Sequence, residues 1–255
     1  QPPITSNIQV STNEDIPVEF KLSGSDGNND VLSFVISLNP SNGTINHNND
    51  SIKYVPDNNY FGTDSIKYFA EDDKKILLIY GDSISAGYGM PIEQGWVSLM
   101  NQKLIDSSLS WKMTNASISG ETTGGALARL PELIETIKPS IVIIELGGND
   151  GLRGYPVSRM SNNIEQMIDI IRRSSSTPIL MGMRIPPNYG ARYTSSFEKA
   201  YHEIANKKEV ELIPFLFEEF VTQEGLMQED GIHPSASAQP KLMDVVWKYL
   251  NRYLN

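Results

Sequence analysis

The sequence predicts two units of different class: a small all-β sandwich over residues 1–73, then a doubly wound α/β sheet over residues 74–255. Three observations carry this. Residues 1–73 run in short alternating segments separated by Asn, Gly, Asp and Pro, with no helical period. From Lys74 onward, short apolar runs alternate with segments whose apolar residues recur at helical spacing. The charge balance changes at the same place. Residues 1–73 hold 11 Asp/Glu against 3 Lys, whereas residues 74–255 hold 20 against 18 Lys/Arg.

In the first part, IQVST (8–12), PVEFKL (17–22), VLSFVIS (31–37), GTI (43–45), SIKYV (51–55) and DSIKYFA (64–70) each read as a strand. Turn chemistry such as SGSDGNND and PDNNYFGT separates them, and this regular spacing indicates a sandwich. In the second part, KILLIY (75–80), WKMTNA (111–116), IVIIEL (141–146), PILMGM (178–183) and VELI (210–213) read as buried parallel strands. Between them, Val157, Met160, Ile164, Met167, Ile168 and Ile171 share one helical face. Leu242, Val245, Val246, Tyr249, Leu250 and Tyr253 do so in a last helix over 239–254. Five strands alternating with five helices make a layered parallel sheet, whose ligands bind at the carboxyl ends of the strands.

A chain of 255 residues with 39% hydrophobic and 20% charged residues reads as globular, and no stretch reaches the ~20 apolar residues of a membrane span. The net charge of −10 argues against nucleic acid, which demands a basic face. Having no Cys, the chain can form neither disulfides nor thiolate metal sites, and it has no cysteine nucleophile. The absence of thiols and a start at Gln1 fit an exported, processed protein, so a periplasmic or extracellular location is expected. The glycines meet neither the P-loop nor the dinucleotide pattern. No spacing suggests zinc, and no metal is expected in the α/β part.

The residues after each strand carry the chemistry. They are Gly81-Asp82-Ser83, then Ser117 to Glu121, then Gly147-Gly148-Asn149-Asp150, and before the last helix Asp230-Gly231-Ile232-His233-Pro234. A serine hydroxyl needs a base within reach and a group that orients the base. Asp230 and His233, three apart, project to one side if they share a helical turn. His233 would take the Ser83 proton and Asp230 would stabilise the imidazolium. The backbone N–H groups of Ser83 and Gly120 and the Asn149 amide would then hold an oxyanion. Each residue also has a bland reading: Ser83 as a helix cap, Gly147 and Gly148 as a turn, and Asp82 and Asp150 as local braces. His47 and His202 read as solvated.

Together, GDS (81–83), the Gly of ISGET (120), GGND (147–150) and DGIH (230–233) resemble the four blocks of the SGNH (GDSL-type) hydrolase superfamily. LGGNDGLRG (146–154), IPPNYGARY (185–193), IPFLFEE (213–219) and MQEDGIHPSASAQP (227–240) resemble its bacterial thioesterase I/lysophospholipase/arylesterase group. The resemblance implies a three-layer α/β/α, flavodoxin-like fold with five parallel strands. It also implies hydrolysis of acyl esters and thioesters, as small-molecule substrates, through an acyl-serine, with no cofactor required. Ser83, Asp230 and His233 take the catalytic positions, and Ser83, Gly120 and Asn149 the oxyanion hole. The family's acyl-binding segment falls at Asn188, Tyr189 and Gly190, and Tyr155 and Tyr193 are further aromatics able to line a pocket.

The N-terminal part resembles the cadherin-like/Ig-like domains of bacterial surface proteins. Asp26, Asp30, Asp64 and Asp72 offer oxygen ligands for Ca²⁺, or are solvated turn residues. The resemblance allows surface or carbohydrate contact through the sandwich. It also leaves open two alternatives: an adhesion protein with an inactive hydrolase domain, and a carbohydrate O-acetyl esterase. Because the chain enters the first parallel strand at its amino end, the sandwich is expected to supply no catalytic group.

Overall fold

The computed structural model describes residues 3–27, 31–72, 74–107, 109–217 and 223–254. The chain divides into two compact units, Gln1–Lys74 and Lys75–Asn255. In the first, β1 (Ile4–Thr5), β2 (Val18–Lys21), β3 (Gly24–Ser25), β4 (Leu32–Leu38), β5 (Gly43–Asn48), β6 (Ser51–Pro56) and β7 (Lys67–Asp72) are all antiparallel. They form the ladders β1–β3, β2–β6–β5 and β4–β7. Alternation turns Leu22, Phe34, Ile52 and Ala70 into a shared core, flanked by Ile8, Phe20, Ile36 and Ile45. The predicted strand at 8–12 does not form. Ile8 reaches the core, but Val10, which should share its face, is 48% exposed, so no buried face sets a register there.

Asp64 ties this unit's turns together. Its carboxylate accepts the N–H groups of Ser41 (2.9 Å), Asn42 (2.8 Å) and Ser65 (2.8 Å) and the Tyr54 hydroxyl (3.1 Å). Partial burial pushes this carboxyl up, but the donated bonds outweigh it and hold it below the usual carboxylate range. Among the described residues, no three His, Asp or Glu are placed to share a metal ion. Asp30 and the side chain of Asp72 lie outside the described residues, as do Glu218 and Glu219 of IPFLFEE.

The second unit runs β8 (Lys75–Gly81), α1 (Ser83–Ala86), α2 (Trp96–Asp106), β9 (Trp111–Asn115), α3 (Thr123–Ile137), β10 (Ile141–Glu145), α4 (Gly148–Leu152), α5 (Val157–Arg173), β11 (Thr177–Met181), α6 (Ala191–Lys208), β12 (Glu211–Ile213) and α7 (Gln239–Leu250). The parallel sheet has the order β9–β8–β10–β11–β12, which in this unit's own sequence is 2-1-3-4-5, the flavodoxin-like order. Every residue of β10 is buried, as a central strand covered on both faces must be. Helix α2 packs on α7, and α5 lies between α3 and α6. Met160, Ile164, Met167, Ile168 and Ile171 give α5 its buried stripe, and Arg172 and Arg173 suit its carboxyl end. The strand order reverses between β8 and β10, so the crevice lies above their carboxyl ends, where Ser83 and Asn149 emerge. Among the described residues, no helix is long and apolar enough to cross a membrane.

Candidate active site

Ser83 is the first residue of α1, not its cap. The cap is Asp82, whose Oδ1 accepts the Ile84 N–H at 3.1 Å. The side chain that the bland reading gave to Ser83 is thereby released for chemistry. Nε2 of His233 lies 2.7 Å from Ser83 Oγ, and Nδ1 of the same ring lies 2.7 Å from Asp230 Oδ2. The expected helical turn at 230–233 is absent. Gly231 takes a left-handed φ of 67°, and the Asp230 carboxylate folds back to accept the N–H groups of Ile232 (2.9 Å) and His233 (3.0 Å). Burial pushes the Asp230 carboxyl up, but these bonds and the ring N–H hold it below its ordinary value. The carboxylate therefore stays ionised beside the imidazole.

Asn149 stands one residue into α4. Gly147 before it has φ 113°, and a Cβ there would sit 2.1 Å from the Tyr201 hydroxyl, so only glycine lets the turn close. That hydroxyl donates to Leu146 O at 2.8 Å. Asn149 Nδ2 donates to Asp82 Oδ2 at 3.1 Å, which fixes the amide and leaves its second N–H for a ligand. Gly120, with φ 79°, is exposed on the loop after β9, and its carbonyl accepts both Nη1 and Nη2 of Arg153 at 3.2 Å. Asp150, read as a local brace, braces α3: it accepts the Thr123 N–H (2.8 Å) and hydroxyl (2.7 Å). His47 and His202 are exposed.

The structure brings the predicted substrate residues together only in part. Tyr189 and Gly190 line an open groove of about 580 Å³ with Pro156, Val157, Arg192 and Tyr193. Tyr189 donates to Leu152 O at 3.0 Å, which ties the groove to the helix of Asn149. Tyr155 is not among the lining residues; its carbonyl accepts the hydroxyl of the lining Tyr193 at 2.6 Å. Asn188 is exposed and is not among the lining residues.

Sequence reasoning missed several supports. Tyr88 stacks on the His233 ring with centroids 4.6 Å apart, and Gln228 donates to the carbonyls of Tyr88 (2.8 Å) and Pro234 (3.0 Å). Gln228 lies inside MQEDGIHPSASAQP and Tyr88 five residues past GDS, yet nothing in spacing alone pairs residues 140 apart. Glu145, wholly buried at the end of β10, reads in the sequence only as part of an apolar run.

A serine, an imidazole and a carboxylate in hydrogen-bond series at the switch point of a parallel sheet define the class as a hydrolase of SGNH layout. Residues 79–239 match the model of the GDSL-like Lipase/Acylhydrolase family, and residues 1–76 match the Bacterial Ig domain. Esterase TesA of Pseudomonas aeruginosa is 44% identical over 178 residues, covering 70% of this chain and 89% of that protein. Thioesterase 1/protease 1/lysophospholipase L1 of Escherichia coli is 41% identical over 179 residues, covering 70% and 85%. The crystal structure of the psychrotrophic esterase EstA from Pseudoalteromonas sp., inhibited by monoethylphosphonate, superposes with a TM-score of 0.69. It is 40% identical and covers 71% of this chain and 100% of that one. The chain belongs to the GDSL-like lipase/acylhydrolase family.

Proposed function

We propose that the chain hydrolyses acyl esters and thioesters through an acyl-Ser83 intermediate. The carrying observation is the unbroken series Ser83 Oγ, His233 Nε2, His233 Nδ1, Asp230 Oδ2, with 2.7 Å at both hydrogen bonds. Ser83 Oγ attacks the acyl carbonyl while its proton moves to His233 Nε2, and Asp230 stabilises the imidazolium so formed. The oxyanion takes the N–H of Ser83, the N–H of Gly120 and the unused N–H of Asn149. As the tetrahedral centre collapses, His233 gives its proton to the departing alkoxide or thiolate. Water then repeats the sequence, with His233 as base, and releases the carboxylic acid. These steps need no metal or cofactor.

The adhesion alternative requires a degenerate site, and the intact series speaks against it. The names of the relatives favour aryl ester, thioester and lysophospholipid substrates over sugar O-acetyl groups. The groove at Tyr189 and Tyr193 is the acyl-binding candidate. The bacterial Ig match supports reading the first unit as an accessory module of an exported enzyme, with surface or carbohydrate contact as its role. The acidic turns retain Ca²⁺ as a ligand to be tried there, although Asp64 already has its full set of donors.

The test is turnover of p-nitrophenyl esters of graded chain length, with an alkylphosphonate as covalent probe. Wild type is expected to be inactivated stoichiometrically with the adduct on Ser83. Ser83→Ala is expected to lose at least ~10³-fold in kcat and to take no label. Equal rates for both proteins overturn the assignment.

A further inference from the structure

Directly behind the nucleophile, two acidic side chains are buried together without a basic partner. Asp82 is 2% exposed and Glu145 0%, and neither pairs with Lys or Arg among the described residues. Neighbouring strands bring them together: Glu145 ends β10 as the register partner of Gly81, the last residue of β8, and Asp82 follows directly. Glu145 Oε2 accepts the Asp82 N–H at 3.2 Å, the two carboxyl groups lie close enough to interact, and the buried Glu145 Oε1 has no hydrogen-bond partner among the described residues. The approach is close. A Cβ on Gly81 would lie 2.5 Å from Glu145 Oε2 and 3.0 Å from the buried Ser117 hydroxyl.

Asp82 in turn touches both halves of the site. Its Oδ1 caps the helix that begins with Ser83, and its Oδ2 holds the Asn149 amide. The groups facing it are Glu145 from β10, His233 from the loop before α7, neutral Asn149 from α4 and, further off, the Tyr201 hydroxyl from α6. Two carboxylates cannot both ionise in such a place, so one proton is retained. Burial pushes both up: Asp82 to about 6, and Glu145 well above its ordinary value, raised further by the Asp82 charge. Asp82 accepts the Ile84 N–H and the Asn149 amide and faces His233, whereas the buried Glu145 Oε1 has no such donor, so near neutral pH the charge belongs on Asp82 and the proton on Glu145.

We infer that Glu145 is a positioning residue for the hydrolysis: as a neutral acid it donates to the Asp82 carboxylate, and it thereby keeps charged the one anion that sets Ser83, Asn149 and the field at His233. The inference rests on the acyl-serine reading. A neutral donor stabilises Asp82 as an anion, and a charged Asp82 favours the imidazolium of the transition state. Deprived of that donor, Asp82 would hold its proton to higher pH. The Asn149 amide would lose its anionic anchor, and turnover would fall on the acid side without loss of substrate affinity.

The experiment measures kcat and KM between pH 5 and 9 for wild type, Glu145→Gln, Glu145→Asp and Glu145→Leu, each titrated for sites with the phosphonate. Gln keeps a neutral donor at the same reach, so its profile should match wild type. Leu removes the donor and Asp retracts it. Both should lower kcat about 10-fold at pH 6, with the acid limb moved up by about one pH unit and KM within about twofold. Should Leu fail to fold, the Asp variant carries the same prediction. In an Asp82→Asn background, Glu145→Asp should produce no further shift of the limb. Leu and Asp profiles that fall in height but stay in place, or an equal further shift in the Asp82→Asn background, overturn the inference and leave Glu145 a packing residue. Failure of the phosphonate to label wild-type Ser83 would instead bring down the acyl-serine reading itself.

Discussion

In the N-terminal unit, four buried side chains, Leu22, Phe34, Ile52 and Ala70, form the core between three short ladders. In the C-terminal unit, a continuous core runs through all five strands and onto α2, α3, α5, α6 and α7. The polar groups differ just as much. Asp64 in the first unit collects N–H donors at a half-exposed turn, whereas Asp82 and Glu145 in the second are buried against each other. A thin core leaves a fold dependent on its turns. A thick core can tolerate an unfavourable cluster of acids and use it at a site. Every group assigned to the chemistry lies within residues 75–255, so the two units can be broken one at a time.

The largest expected effect is on the thin core. Ile52→Ala removes a side chain that is 1% exposed, and such truncations cost about 2–5 kcal/mol, comparable to the whole stability of a small domain. Calorimetry should show the melting transition of residues 1–74 moving down or vanishing, while ester turnover per titrated site stays within about twofold. Parallel loss of both would show the units to be coupled. The complementary break is Asn149→Ala. On the proposed mechanism this removes one oxyanion donor, which should lower kcat by about 10²–10³ with KM little changed and the melting of residues 75–255 preserved within a few degrees. A rise in KM alone would make Asn149 a ground-state contact.

Legibility follows the same division. The five parallel strands and the stripes of α5 and α7 were readable because burial on both faces forces unbroken apolar runs and helical periods. The residues that the structure brings into hydrogen-bond series, Ser83, His233 and Asp230, are legible because turn residues of the right chemistry follow the strands and precede the last helix. The strand at 8–12 failed because alternation over five residues does not say whether a partner edge exists. Asp230 and His233 were paired correctly on the wrong geometry: the three-residue spacing suggested a helical turn, while Gly231 makes a loop in which backbone N–H groups hold the acid. Glu145, Tyr88 and Gln228 were invisible because their roles arise from neighbours far away in sequence, supplied by sheet register and loop closure.

The smallest expected effect bears on the contrast between the acids. Asp64→Asn replaces one accepting oxygen with an N–H₂ that meets backbone N–H groups head-on, whichever way the amide turns. Because the turn is half exposed and water can compensate, about 1 kcal/mol is expected rather than the full penalty of a buried orphan. Its pH dependence identifies the cause. Asp64 is held below its unfolded value, so wild type gains its full advantage above pH ~4, and the advantage fades as pH falls through the folded value. The melting curves of wild type and Asp64→Asn should therefore converge in acid and separate toward neutrality. Glu145 carries the opposite sign: its native form holds a proton that the unfolded chain releases. Stability of the second unit should thus decline as pH rises above ~4.5, and Glu145→Gln should flatten that decline. Wild-type slopes of the same sign in both units would mean that burial and hydrogen bonding do not set these acids apart.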